Sequence, residues 1–118
     1  MSRRIMIVDD EPEILNVLEE FLTRKGFQVV KCSGGEEALK AVSEEKHIDL
    51  IVLDSKMPKV DGPTVIQELK ENNCAIPIVM LTGSIDWKTK HAKVKCDGFL
   101  IKPINLDELI NEINRILK

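Results

Sequence analysis

Short apolar runs recur along this chain without alternating polar positions: Ile5-Met6-Ile7-Val8, Leu50-Ile51-Val52-Leu53, Ile78-Val79-Met80-Leu81 and Phe99-Leu100-Ile101. A strand with one wet face alternates; an unbroken run bounded by polar or turn residues is what a strand buried on both faces of a parallel sheet shows. A further run, Phe27 to Cys32, is more polar and is expected at a sheet edge. Between the runs the apolar spacing changes to that of helices. Ile14, Leu15, Leu18, Phe21 and Leu22 form one apolar stripe, opened by Pro12 in the first turn and closed by Gly26. Ala38, Leu39 and Val42 mark a second helix, and Gly62-Pro63 opens a third that turns Val65, Ile66 and Leu69 inward. The last is the clearest: Leu106, Leu109, Ile110, Ile113, Ile116 and Leu117, with Asn105 and Glu108 at capping-box spacing. Strict alternation of strand and helix predicts an α/β domain, an open, doubly wound parallel sheet of five strands with helices on both faces and right-handed crossovers.

The length of 118 residues fits one such domain, which buries roughly two-thirds of the surface the unfolded chain exposes. With 43% hydrophobic and 31% charged residues the composition is globular, and no apolar run approaches the ~20 residues of a membrane span. The apolar stretch after Met1-Ser2-Arg3-Arg4 is too short for a secretory signal, so a cytoplasmic protein is expected. Cys32, Cys74 and Cys96 are widely spaced, match no metal-ligand pattern and read as reduced thiols. The net charge of −3 gives no general reason to bind nucleic acid. Its distribution is uneven: residues 5–23 carry six carboxylates and no Lys or Arg, whereas Lys88, Lys90, Lys93 and Lys95 crowd a short stretch.

In a parallel sheet every strand ends at the same rim, and that is where ligands bind. Here the first strand runs into Asp9-Asp10, the third into Asp54, the fourth into Thr82 and the last into Lys102. Any one of these is an ordinary solvated strand end. Together they bring three carboxylates, a hydroxyl and an ammonium to one place. Carboxylates so close repel, which raises the pKa of one or more unless a cation sits among them. Oxygen-only ligands in an open site suit Mg²⁺, or Mn²⁺, whereas a helix-loop-helix Ca²⁺ site would need a contiguous acidic run. With a metal on one side, Lys102 and Thr82 can receive oxygens of a transferred phosphoryl group from the other. A central carboxylate, Asp54, can then be the nucleophile.

These residues resemble the receiver domain of two-component response regulators of the chemotaxis-regulator type, over essentially the whole chain, residues 1–118. The resemblance is carried by Val8-Asp9-Asp10-Glu11, by Leu53-Asp54-Ser55-Lys56-Met57-Pro58 with Asp61-Gly62, by Thr82, and by Lys102-Pro103, each at its strand end. It implies a flavodoxin-like strand order 2-1-3-4-5. It further implies that Asp54 accepts a phosphoryl group from a histidine kinase or histidine phosphotransfer protein. Asp9, Asp10, Asp54 and the backbone carbonyl of Lys56 would hold Mg²⁺, and Lys102 would pair with a phosphoryl oxygen. The Lys102-Pro103 peptide would be cis. Thr82 and Phe99 would form the switch, read by a downstream protein at the face of the fourth helix, fifth strand and fifth helix. The domain would be a phosphoacceptor in a phosphorelay rather than an enzyme, with only self-catalysed phosphotransfer and slow autodephosphorylation.

Rival uses of a similar topology fit less well. A flavin phosphate loop needs small residues with open N–H groups after the first strand, and Asp9-Asp10-Glu11-Pro12 would repel a phosphate. A haloacid-dehalogenase-type phosphatase needs a second acid two residues beyond its nucleophile, where this chain has Lys56. A non-phosphorylated interaction scaffold of the same fold remains the alternative, against which the complete acidic cluster, Thr82 and Lys102 argue. Thr82 and Lys102 are closer in sequence than is usual in the family, so the fourth helix is expected to be short or irregular, and basic. Its lysines read as a solvated face, with docking of an acidic partner as a minority reading; neither nucleic acid nor membrane is an expected partner. Lys56, two residues past Asp54, would shield an acyl phosphate, and Gly83 would leave the opposite side open. No output module is expected within this chain, and both a stand-alone receiver and a receiver taken from a larger regulator are compatible with it.

Overall fold

The computed structural model describes residues 2–44, 47–83 and 95–118. Its elements in chain order are β1 (Arg4–Val8), α1 (Pro12–Arg24), β2 (Gln28–Cys32), α2 (Gly35–Ser43), β3 (Leu50–Asp54), α3 (Gly62–Glu71), β4 (Ile78–Thr82), β5 (Gly98–Ile101) and α4 (Leu106–Leu117). The segment 84–94, where the sequence predicts a basic fourth helix with Lys88, Lys90 and Lys93, lies outside the described residues. The strands pair in parallel in the order β2-β1-β3-β4-β5. Three of the four unbroken apolar runs are the interior strands β1, β3 and β4, and every residue of β3 and β4 is buried. The fourth, Phe99-Leu100-Ile101, is not buried on both faces as its pattern predicts but is the edge strand β5, partly exposed like β2 at the other edge, with Ile101 51% exposed.

The pleat divides the core into two layers. Met6, Val8, Ile51, Leu53, Ile78 and Met80 pack with α2 and α3; Ile5, Ile7, Leu50, Val52, Val79 and Leu81 pack with α1 and α4. Each fully buried aliphatic side chain contributes roughly 1.5–3 kcal/mol. A one-residue slip would exchange the two layers and carry the polar strand ends to the wrong faces.

Local chemistry sets the helix ends. Pro12 stands in the first turn of α1, where a missing N–H is harmless. Gly26, with φ of 94°, ends that helix: its N–H donates to the Thr23 carbonyl, and the Phe27 N–H donates to the Leu22 carbonyl. The same closure ends α3 with Asn73 at φ 58°, the Cys74 N–H donating to the Leu69 carbonyl. The Asp61 side chain caps the start of α3 by accepting from the Thr64 N–H, and Asn105 accepts from the Glu108 N–H at the start of α4. Among the described residues no helix is long and apolar enough to cross a membrane. No disulfide joins Cys32, Cys74 and Cys96, and burial pushes the Cys96 thiol up to about 11, away from the reactive thiolate form.

Candidate functional site

The register puts the chemistry-bearing residues at one end of the sheet. Val8 is level with Leu53, Asp54 with Leu81, and Thr82 with Ile101, so Asp9, Asp54, Thr82 and Lys102 crowd the rim at the strand C-termini. Alternation then sorts them. Asp9, Asp54 and Lys102 follow Val8, Leu53 and Ile101 and fall on the α1/α4 face, whereas Thr82 follows Leu81 and falls on the α2/α3 face.

Asp9 is 1% exposed. Its Oδ1 accepts the Glu11 N–H at 2.9 Å, while among the described residues its buried Oδ2 has no hydrogen-bond partner and lies 3.7 Å from Lys102 Nζ. Asp54, 4% exposed, has Oδ1 2.9 Å from the same ammonium. Carboxylate oxygens of Asp9, Asp10 and Asp54 all lie within 4.8 Å of one another. A buried carboxylate oxygen with no hydrogen bond, in a cluster of hard oxygen donors, fits a divalent cation such as Mg²⁺ or Mn²⁺.

Both buried carboxyls are held above the usual aspartate range, and the first cause is burial rather than the mutual repulsion the sequence suggests. For Asp54 the Lys102 hydrogen bond opposes that rise and the charge of Asp9 adds to it; for Asp9 the Glu11 N–H and Lys102 oppose it. Burial acts on Lys102 in the lowering direction, but its hydrogen bond to Asp54 and the charges of Asp54, Asp9 and Glu11 outweigh it, so the ammonium is held above its usual value.

Backbone approach explains the neighbouring glycine. The Gly62 N–H donates to the Ser55 carbonyl at 2.9 Å, and a Cβ at Gly62 would lie 2.5 Å from the Asp54 carbonyl oxygen and 2.8 Å from Ser55 Cα. Only glycine lets α3 start that close to the end of β3. In the same loop Lys59 adopts φ of 69°, with the Val60 N–H donating to the Pro58 carbonyl across it. Such a turn is strained for a side-chain-bearing residue. The Lys102-Pro103 peptide is cis, and the Lys102 N–H donates to the Thr82 carbonyl at 2.7 Å.

The other predicted site residues stand around this cluster. Lys56 and Gly83 are exposed at the rim; among the described residues a Cβ at Gly83 would meet only Lys102 Cβ, at 4.0 Å. Phe99 is half-buried, level with Met80, and packs against the α2/α3 layer. Thr82 is fully buried, and its Oγ1 accepts a hydrogen bond from Ser55 Oγ at 2.6 Å. Ser55 had no role in the sequence reading, because a serine after a strand-end aspartate carries no signal of its own; its partner is set by the β3/β4 register.

Residues 5–114 match the response regulator receiver domain family. The chain is 38% identical over 120 residues to the alkaline phosphatase synthesis transcriptional regulatory protein PhoP of Bacillus subtilis, covering all of this chain and 50% of that protein. It is 41% identical over 119 residues to the probable transcriptional regulator ycf27 of Cyanidium caldarium, covering 99% of this chain and 47% of that one. The chain thus spans about half the length of these curated relatives. Among solved structures, the response regulator TrrA of Thermotoga maritima in complex with Mg²⁺-BeF superposes with a TM-score of 0.88 at 32% identity, over 98% of this chain and 99% of that one. The Vibrio cholerae chemotaxis protein CheY4 gives 0.87 at 27% identity, over 99% and 100%. The family is one of signalling domains rather than classical enzymes. By sequence and by fold, this chain belongs to the receiver domains of two-component response regulators.

Proposed function

We propose that residues 1–118 act as one phosphoacceptor unit in the cytoplasm, with Asp54 taking a phosphoryl group from a phosphohistidine on a histidine kinase or phosphotransfer protein. The observation that carries this reading is the contact of Asp54 Oδ1 with Lys102 Nζ at 2.9 Å, beside two further carboxylates. A buried aspartate paired with a cation on one side and crowded by acids on the other is arranged to be ionised and placed, yet not neutralised. A carboxylate oxygen of Asp54 attacks phosphorus, the P–N bond to the donor imidazole breaks, and an acyl phosphate and imidazole result. Lys102 passes from the carboxylate to a phosphoryl oxygen. Thr82 supplies its hydroxyl to another, and Phe99 follows on the same face of the sheet.

Asp9, Asp10, Asp54 and the Lys56 carbonyl would hold Mg²⁺ or Mn²⁺. When bound, the ion supplies positive charge that offsets the carboxylates and the incoming phosphoryl oxygens. The donor's approach is over the rim beside Lys102, where Ile14, Val17, Leu18, Pro103, Ile104 and Leu106 line an apolar groove of about 420 Å³ and Val17 is 53% exposed. Downstream proteins read the state at the face carrying β5 and α4. The segment 84–94, where the sequence predicts a further helix on that face, lies outside the described residues.

The test is direct. Incubation with Mg²⁺ and acetyl phosphate adds the mass of one phosphoryl group to the wild type and none to Asp54→Asn. Labelling that persists in Asp54→Asn assigns the acceptor elsewhere, and labelling that ignores a chelator removes the metal from the reaction.

A further inference from the structure

We infer that Ser55 is a positioning residue that holds the Thr82 hydroxyl in the resting arrangement and so sets how readily this receiver switches. The inference rests on the phosphoacceptor reading above, in which Thr82 turns to a phosphoryl oxygen on Asp54. Ser55 cannot easily move. Its N–H donates to the Leu81 carbonyl and its carbonyl accepts from the Gly62 N–H, both at 2.9 Å, so strand β4 and the start of α3 fix its backbone from two sides. Its side chain is 2% exposed and falls on the α2/α3 face, as does that of the fully buried Thr82. There Ser55 Oγ donates to Thr82 Oγ1 at 2.6 Å, on the opposite side of the sheet from Lys102.

Turning Thr82 toward Asp54 withdraws Oγ1 from this contact. It leaves a buried serine hydroxyl to find another partner in a site closed to bulk water, and leaving such a group unpaired is unfavourable. The resting state is thereby favoured by an interaction lost on switching, and a ligand at Asp54 must supply that difference. Phe99 packs on the same face, so the position held by Ser55 also bears on the residue that follows Thr82 in the switch.

The experiment titrates Mg²⁺-beryllofluoride, a phosphoryl mimic, into the full chain while following the Thr82 and Gly83 amide resonances. The set comprises wild type, Ser55→Ala, Ser55→Cys, Thr82→Ala, the Ser55→Ala/Thr82→Ala double variant and Asp54→Asn. Ser55→Ala is expected to bind roughly threefold to tenfold more tightly than wild type, the net worth of one hydrogen bond. Its Thr82 resonance should already be displaced without ligand. Ser55→Cys, which keeps the volume but donates weakly, should fall between them and stands in if the alanine variant does not fold. In the Thr82→Ala background the serine substitution should have no effect. Equal or weaker binding by Ser55→Ala, or the same gain without Thr82, overturns the inference while leaving the phosphoacceptor reading in place. Failure of the wild type to bind, or undiminished binding by Asp54→Asn, removes that reading and this inference with it.

Discussion

Lys102 Nζ stands 2.9 Å from Asp54 Oδ1 and 3.7 Å from Asp9 Oδ2, one ammonium between two carboxylates that are otherwise taken out of water. Among the described residues, its removal leaves two buried acids with no paired cation. Lys102→Ala is therefore expected to lose about 1–3 kcal/mol of folding stability at pH 8 in the metal-free protein. The loss should shrink toward pH 5, because the carboxyls, with their raised values pushed higher still, take up protons instead. Urea unfolding of both proteins at the two pH values measures this; a penalty that grows on acidification would contradict it.

The raised carboxyls also set a pH dependence whose sign can be worked out. Asp9 and Asp54 bind protons more tightly in the folded protein than in the unfolded chain, where the usual value is 3.8. In the window from there up to the raised values the folded state holds more protons, so these groups favour folding at the acidic end. Their contribution is lost as pH rises through the window. Asp9→Asn removes one of them and places an amide where Oδ2 is orphaned. The metal-free variant should exceed the wild type by about 1–2 kcal/mol at pH 7, with the difference narrowing as pH falls. Stabilisation by Mg²⁺ should largely disappear. Thermal melts with and without Mg²⁺ between pH 5 and 8 test both signs.

The sheet and the rim were legible because each leaves a one-dimensional trace. Strands buried on both faces must be apolar without interruption, as β3 and β4 are, and residues that end such strands must share an edge, as Asp9, Asp54 and Lys102 do. What the sequence did not reveal depends on how strands sit side by side. The Ser55–Thr82 pair follows from the level of β3 against β4, and the burial that raises the Asp9 and Asp54 values follows from packing. Asn73, which ends α3 as Gly26 ends α1, is a weaker signal because asparagine adopts positive φ less freely than glycine.

Gly62 is where the fold and the site meet. A methyl group there would press on the Asp54 carbonyl and on Ser55 Cα, backbone atoms that cannot turn aside. Gly62→Ala is expected to destabilise by about 1–3 kcal/mol and to weaken Mg²⁺ binding together with stability. Gly34→Ala, with nothing within 4 Å of the added carbon, should lose less than about 1 kcal/mol and leave Mg²⁺ binding alone. Chemical denaturation and Mg²⁺ titration of the two variants provide the comparison.

Lys56 bears on how long the phosphorylated state lasts. Hydrolysis of an acyl phosphate at Asp54 needs a water in line with the bond to the carboxylate oxygen, approaching from the open rim. On one side of that rim Lys56 is exposed, on a loop anchored by the buried Met57 next to it. On the other, Gly83 presents no side chain. On the proposed function, a long side chain at position 56 would occupy space that water would use, and the missing side chain at Gly83 would admit a partner's. Lys56→Ala should therefore shorten the lifetime of the phosphorylated protein by roughly twofold to tenfold, a barrier change of no more than about 1.4 kcal/mol. The Lys102 and Asp54 geometry should be preserved, so labelling by acetyl phosphate proceeds to the same product. Following the decay of the phosphorylated mass after removal of the donor measures the lifetime, and an unchanged decay would show that Lys56 does not shield phosphorus.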